Sequence, residues 1–207
     1  MSDQVELTNP VELSVGGMSG HILRRGIHLA MSLLPFLFFE FGEDVADSVS
    51  LSLEQVVSSV ILIAIFGEAL RLRMGWTVVG QRSYEAKQVS ALAWGALGVG
   101  MVFLLTPEPA YAYPLILSLS LGDPLLGELR RKGATTTTVI WAGMLGIATI
   151  WAACAVWVDT PWLLVPLMAP ICVGAEWPRL RYIDDNATML LIPLAVVLII
   201  DPFLGII

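Results

Sequence analysis

The sequence predicts an all-α fold, a polytopic integral membrane helix bundle of about seven transmembrane helices with a cytoplasmic N-terminus. Hydrophobic residues make up 57% of the 207, charged residues only 14%, and the mean hydropathy is +0.79. A water-soluble domain has about a quarter of its residues charged. Apolar stretches also recur at lengths that suit helices crossing hydrocarbon, which takes about 20 residues. The 11 basic residues, finally, fall in four clusters between those stretches. The formal charge of −7, from 18 acidic residues against 11 basic, argues against a nucleic-acid partner, which needs a basic surface facing phosphates.

Residues 1–20 carry Asp3, Glu6 and Glu12 and no base. They lack the basic and apolar regions of a cleavable signal and are expected to form a short polar cytoplasmic tail. Residues 21–207 are then a single transmembrane catalytic domain. Its first segment, 27–41, follows Arg24 and Arg25. The second, 56–70, precedes Arg71, Arg73, Arg82 and Lys87. The third is 89–105. The fourth, 110–121, is short and leads to Arg130, Arg131 and Lys132. The fifth, 136–158, begins in a run of threonines whose hydroxyls can bond back at a helix start. The sixth, 162–175, is also short and precedes Arg179 and Arg181, and the seventh is 188–207. Short segments in a bundle tilt, break or re-enter where they line a cavity.

Lys and Arg are retained on the cytoplasmic side, whereas acidic residues carry little topological weight. With seven segments and the N-terminus inside, all 11 bases share one face, and adding or removing a segment scatters them. The opposite face receives Glu40, Glu43, Asp44, Asp47, Glu54, Glu108, Asp159 and Asp201. The other ten acids are left against the 11 bases on the inner face, which is close to neutral. Cys154 and Cys172 lie in apolar stretches with no His or Cys at ligand spacing, so a disulfide framework or zinc site is not suggested.

Four polar groups stand out. Arg24, Arg25 and His28 are spaced to share one helical face. A cationic face at the membrane surface suits a phosphate, and inside anchoring of the two arginines is the plainer alternative. Glu68 and Arg71 form an i,i+3 pair, best read as a structural ion pair because a carboxylate in apolar surroundings is costly alone. Arg82 and Glu85 follow in the loop and belong to the same polar group, although residues 80–87 could equally be an ordinary solvated connection. In the stretch 118–132, Asp123 would bind a divalent ion and Gly122 and Gly127 would permit close backbone approach. Arg130, Arg131 and Lys132 would meet phosphate oxygens. A helix-ending turn with anchoring charges is the plainer alternative. The glycine spacing fits a P-loop, but Glu128 and Leu129 follow where Lys and Ser or Thr are required. Between 176 and 186, Glu176, Asp184, Asp185 and Asn186 form a second acidic group, read as the other half of a metal site. Asp185 or Asn186 could alternatively cap the last helix.

In this order the four groups resemble the family of membrane-bound lipid-alcohol kinases that includes dolichol kinase, phytol kinase and the CTP-dependent diacylglycerol kinase. Arg24, Arg25 and His28 match its basic pair before a histidine. Glu68 and Arg71 match the end of its second helix. Gly122, Asp123 and Gly127 match its Asp loop, and Glu176, Asp185 and Asn186 match its last acidic motif. The sequence departs from the family where Gly133, Ala134 and Thr135 follow Lys132, and where Pro124 and Leu125 follow Asp123. The resemblance implies phosphoryl transfer from CTP to the hydroxyl of a polyprenol or related lipid alcohol at the cytoplasmic face of the cell membrane. It implies Mg2+ held by Asp123, Asp185, Glu176 and Asn186, and a triphosphate held by Arg24, Arg25, Arg130, Arg131 and Lys132. His28, or a carboxylate such as Asp123 or Asp185, would position or deprotonate the alcohol. The alternatives are a cytidylyltransferase making a CDP-lipid, and a non-enzymatic transporter or scaffold.

Overall fold

The computed structural model describes residues 14–178, 180 and 182–204. The chain is all-α, with no strand among the described residues. Its helices are α1 (Gly17–Met31), α2 (Leu34–Ser48), α3 (Leu53–Met74), α4 (Ala91–Leu105), α5 (Pro109–Arg131), α6 (Thr136–Trp157), α7 (Leu164–Glu176) and α8 (Asp185–Leu204), with a short 3-10 turn at Ser83–Lys87 between α3 and α4. Every segment expected from the sequence falls on a helix over its described residues, with 205–207 of the seventh outside them. The first is divided between α1 and α2 by a 57° bend. Pro35 opens α2 and has no N–H with which to continue the α1 ladder.

α3, α6 and α8 are long and apolar enough to cross a membrane, and α1 with α2 is a fourth if the bent pair is one span. α4 and α7 are apolar but shorter. On α3 the side chains of Leu62, Ile63 and Phe66 are more than 60% exposed. Apolar faces of this kind are an aggregation liability in water; together with the long helices they are compatible with a membrane protein.

Two boundaries differ from the sequence expectation. α1 begins at Gly17, so the division at residue 20 falls inside a helix. Ahead of it, Val15 N–H donates to the Gln81 carbonyl (2.8 Å) and Gly80 N–H to the Val15 carbonyl (3.0 Å), tying the chain there to the loop after α3. Residues 1–13 lie outside the described residues, as do Arg179 and Arg181. The fourth segment, expected to be short, belongs to a 23-residue helix. Hydropathy falls after Leu121, but the helix continues through residues that pair along its surface, Glu128 with Arg131 (2.6 Å) among them. Asp123 is therefore a helical residue and not part of a helix-ending turn.

α5 is the axis of the packing. Its Tyr111, Leu115, Ile116, Leu119 and Leu126 are fully buried against Ile147 and Trp151 of α6, Met168 and Cys172 of α7, and Met189 and Leu190 of α8. Trp151 Nε1 donates to Ser118 Oγ (2.9 Å), which satisfies a donor deep in the core. Cys154 and Cys172 are free and buried. α4 meets α8 through Gly98, where a Cβ would stand 2.8 Å from Leu190 Cδ1 and 3.2 Å from Leu190 Cβ. Gly98→Ala should therefore destabilise the protein by about 1–3 kcal/mol through overpacking. Gly67→Ala on α3, with nothing within 4 Å, should be neutral or stabilising. Thermal unfolding of the two variants in detergent checks this; equal midpoints would refute close α4–α8 packing.

The antiparallel hairpins sort the charges. Arg24, Arg25, Arg71, Arg82, Arg130, Arg131 and Lys132 gather where α3, α5 and α7 end and α4, α6 and α8 begin. At the other end Tyr111 Oη donates to Asp201 Oδ1 (2.7 Å). Asp201, expected on the outer surface, is 5% exposed and sits between α5 and α8, so its charge is not part of a solvated acidic face. Tyr111 supplies the partner that makes this burial tolerable.

Candidate metal and phosphate site

Four residues of α1, His21, Arg24, Arg25 and His28, lie at i, i+3, i+4 and i+7 and so form one stripe. It faces α5, where Asp123, Gly127, Arg130 and Arg131 repeat with the same period. The last residue of α7, Glu176, and the first of α8, Asp185, close the space from the side, with Arg82 and Ser14 contributed by the irregular segments. The resulting cleft has a volume of about 770 Å³, including its open mouth.

Asp123, Glu176 and Asp185 each bring a carboxylate oxygen within 4.8 Å of the others. His28, 5% exposed, points Nδ1 at Asp123 Oδ2 at 3.3 Å, yet that nitrogen has no hydrogen-bond partner. Arg130 grips Glu176 with both terminal nitrogens, Nη1 to Oε1 and Nη2 to Oε2 (2.8 Å), and its guanidinium lies 4.9 Å over the Trp177 ring. Arg24 Nη1 donates to Glu85 Oε1 (2.9 Å), and its Nη2 is 4.0 Å from Asp184 Oδ2. Arg25 Nη1 donates to the Pro124 carbonyl (3.2 Å) and lies 3.3 Å from Glu128 Oε2. Burial pushes Asp184 well above the usual carboxylate range, and the adjacent Asp185 carboxylate adds to the rise.

Not every expected residue reaches this cleft. Asn186 donates from Nδ2 to the Ala91 carbonyl (3.0 Å), so its amide fastens α8 to α4, and it does not line the cleft. Lys132 is 69% exposed and 3.7 Å from Glu128, and does not line the cleft. Gly122 is buried against Ile147 and Met189, whereas Gly127 does line the cleft, where a Cβ would lie 3.5 Å from Arg25 Nη2. Glu68 and Arg71 form an ion pair with two bonds of 2.7 and 2.8 Å.

The loop before α4, whose Arg82 and Glu85 stand out in the sequence but could equally belong to a solvated connection, supplies residues that sequence reasoning gave no role in the site. Arg82 lines the cleft and donates to Tyr84 Oη (2.6 Å). Glu85 is 1% exposed and also accepts from the backbone N–H groups of Arg82 (3.1 Å) and Ala91 (3.2 Å). The only signal for them is mixed charge in a short loop between apolar helices. Glu85→Ala strands these donors, at about 1–3 kcal/mol for each buried group left unsatisfied. It should lower the thermal midpoint and speed proteolytic cleavage within residues 75–90, and Glu85→Gln should recover part of the loss. A wild-type cleavage rate in Glu85→Ala would show that Glu85 does not fasten this loop.

An all-oxygen donor set suits a hard divalent cation such as Mg2+, Mn2+ or Ca2+. Planar guanidinium groups around it suit phosphate oxygens. No family model matches the chain, and the comparisons with curated proteins and with solved structures return no match. The chemistry of the cleft therefore rests on its own residues.

Proposed function

We propose that the chain is a membrane-embedded phosphotransferase that moves the terminal phosphoryl group of CTP to the hydroxyl of a lipid alcohol of the polyprenol kind. The observation that carries this reading is the convergence of three carboxylates with Arg24, Arg25, Arg82 and Arg130 in one cleft at the basic end of the bundle. All seven segments would then cross the cell membrane, with the cleft at the cytoplasmic face. The order of polar groups that resembles the lipid-alcohol kinases supports the same reading.

In such a transfer the acceptor oxygen bonds to the γ-phosphorus, the bond to the β–γ bridging oxygen breaks, and CDP leaves as the hydroxyl proton departs. Positioning and charge stabilisation supply most of the catalysis. Asp123, Glu176 and Asp185 would hold Mg2+, which neutralises charge on the phosphates. Arg24, Arg25, Arg82 and Arg130 border the space left for the triphosphate. His28, buried beside Asp123, is placed to orient the acceptor hydroxyl or take its proton. The lipid tail must stay among apolar surfaces.

The test is a product assay on the purified protein, with labelled CTP or ATP against polyprenol, phytol-like and glyceride alcohols. Lipid phosphate with released CDP is the expected result. Pyrophosphate and a CDP-lipid would instead identify a cytidylyltransferase. Absence of affinity for every nucleotide would favour a transporter or scaffold.

A further inference from the structure

The carboxylates of the cleft are met by its own cations, and the Arg130–Glu176 pair is the most complete case. Both carboxylate oxygens of Glu176 are taken by both terminal nitrogens of Arg130. Glu176 is 7% exposed, so its charge is held in a poorly solvated place and depends on this partner. One of the same oxygens belongs to the cluster with Asp123 and Asp185. Glu176 thus stands between two competing sources of positive charge, the guanidinium and any cation in the cluster. His28 Nδ1, more than nine-tenths buried, without a hydrogen bond and aimed at Asp123, is an independent sign that the cluster is built to take a ligand.

We propose that Arg130 and Glu176 form an exchange switch that makes polyphosphate binding conditional on a divalent cation. The inference rests on the reading of Asp123, Glu176 and Asp185 as a cation site. Without the cation, the forked face of Arg130 that would grip a phosphate is spent on Glu176. A cation among the carboxylates takes over the compensation of Glu176 and frees that face towards the cleft. Polyphosphate then finds a guanidinium that was withheld before, so cation and anion each strengthen the binding of the other. Metal-free nucleotide is disfavoured by the same means, because its phosphates must compete with Glu176 for Arg130.

Trp177 provides a built-in reporter, since the Arg130 guanidinium rests on its ring and leaves it when the fork turns. The experiment uses the full chain in detergent with Mn2+ and inorganic pyrophosphate as probes. Paramagnetic resonance follows Mn2+ binding, calorimetry follows pyrophosphate, and tryptophan emission is compared between wild type and Trp177→Phe. Mn2+ alone should change the wild-type emission, and Trp177→Phe should lose that change. Because Mn2+ and pyrophosphate also associate in solution, the decisive comparison is made in a chelator. There Glu176→Gln should bind pyrophosphate about tenfold tighter than wild type or more, a coupling of ordinary size. Arg130→Lys keeps the charge but not the fork, and should bind Mn2+ while losing the emission change.

Equal metal-free pyrophosphate affinity in wild type and Glu176→Gln overturns the switch, as does unchanged Trp177 emission with Mn2+ bound. Wild-type protein that binds no Mn2+ overturns the cation site itself, and the switch falls with it. Saturable Mn2+ binding without the Glu176→Gln effect overturns the switch alone.

Discussion

On the proposed phosphotransferase reading, Asp123→Asn should lower lipid phosphorylation by about three orders of magnitude while leaving the fold intact, a loss of about 4 kcal/mol of transition-state stabilisation. Asn preserves the shape of the side chain on α5 but removes one of the three charges that converge in the cleft. The variant should also separate stability from activity. Three carboxylates within 4.8 Å repel one another when no cation lies between them. Neutralising one relieves that repulsion, so the thermal midpoint of the metal-free variant should equal or exceed that of wild type. Added Mg2+ should raise the wild-type midpoint, as any ligand that prefers the native state does, and should leave the variant unmoved. Wild-type phosphorylation by Asp123→Asn would overturn the assignment of this residue to the metal. A normal Mg2+ response in the inactive variant would place Asp123 elsewhere in the reaction.

The helical bundle and the grouping of its ionisable residues at one end are legible in the sequence for one reason. In a chain with few charges, each ionisable group beside an apolar stretch is costly and so informative. Glu68 with Arg71, and Asp123 with the distant Glu176 and Asp185, were visible on that ground. Which of two neighbours faces the cleft was not visible. Successive residues on a helix point about 100° apart, so Asp185 lines the cleft while Asn186 reaches back to α4. Two such steps, about 200°, separate Arg130, which lines the cleft, from Lys132, which does not. The place of Arg82 and Glu85 in the site was hidden for another reason. Their loop has no periodicity, and its position is set by contacts with the start of α4 and with α1, which is distant in sequence. The run from Leu121 to Arg131 misled because hydropathy reports where apolar surface ends, whereas helix continuity depends on backbone bonding and surface pairs.

Arg71→Met should destabilise the protein by about 3 kcal/mol or more, the usual result of stranding one member of a buried ion pair. Arg71 is 8% exposed and does more than neutralise Glu68. Its Nη1 donates to the Trp76 carbonyl (2.7 Å) and its Nη2 to the Gln88 carbonyl (2.9 Å). Glu68 Oε1 in turn accepts from Ser90 N–H (2.6 Å) at the start of α4. The pair therefore clamps both ends of the loop over residues 75–90, which Gly75 opens in the left-handed conformation (φ 67°). Arg82 reaches the cleft from that loop, so its place there depends on the clamp. Glu68→Gln with Arg71→Met should recover part of the lost stability, because no unpaired charge remains buried. It should not recover activity, because the loop carbonyls still lack their donor. Unfolding midpoints and phosphorylation rates of the two single variants and the double variant separate these effects. A Arg71→Met variant within about 0.5 kcal/mol of wild type would show that the pair is a surface contact. Full activity in the double variant would show that Arg82 keeps its place without the clamp.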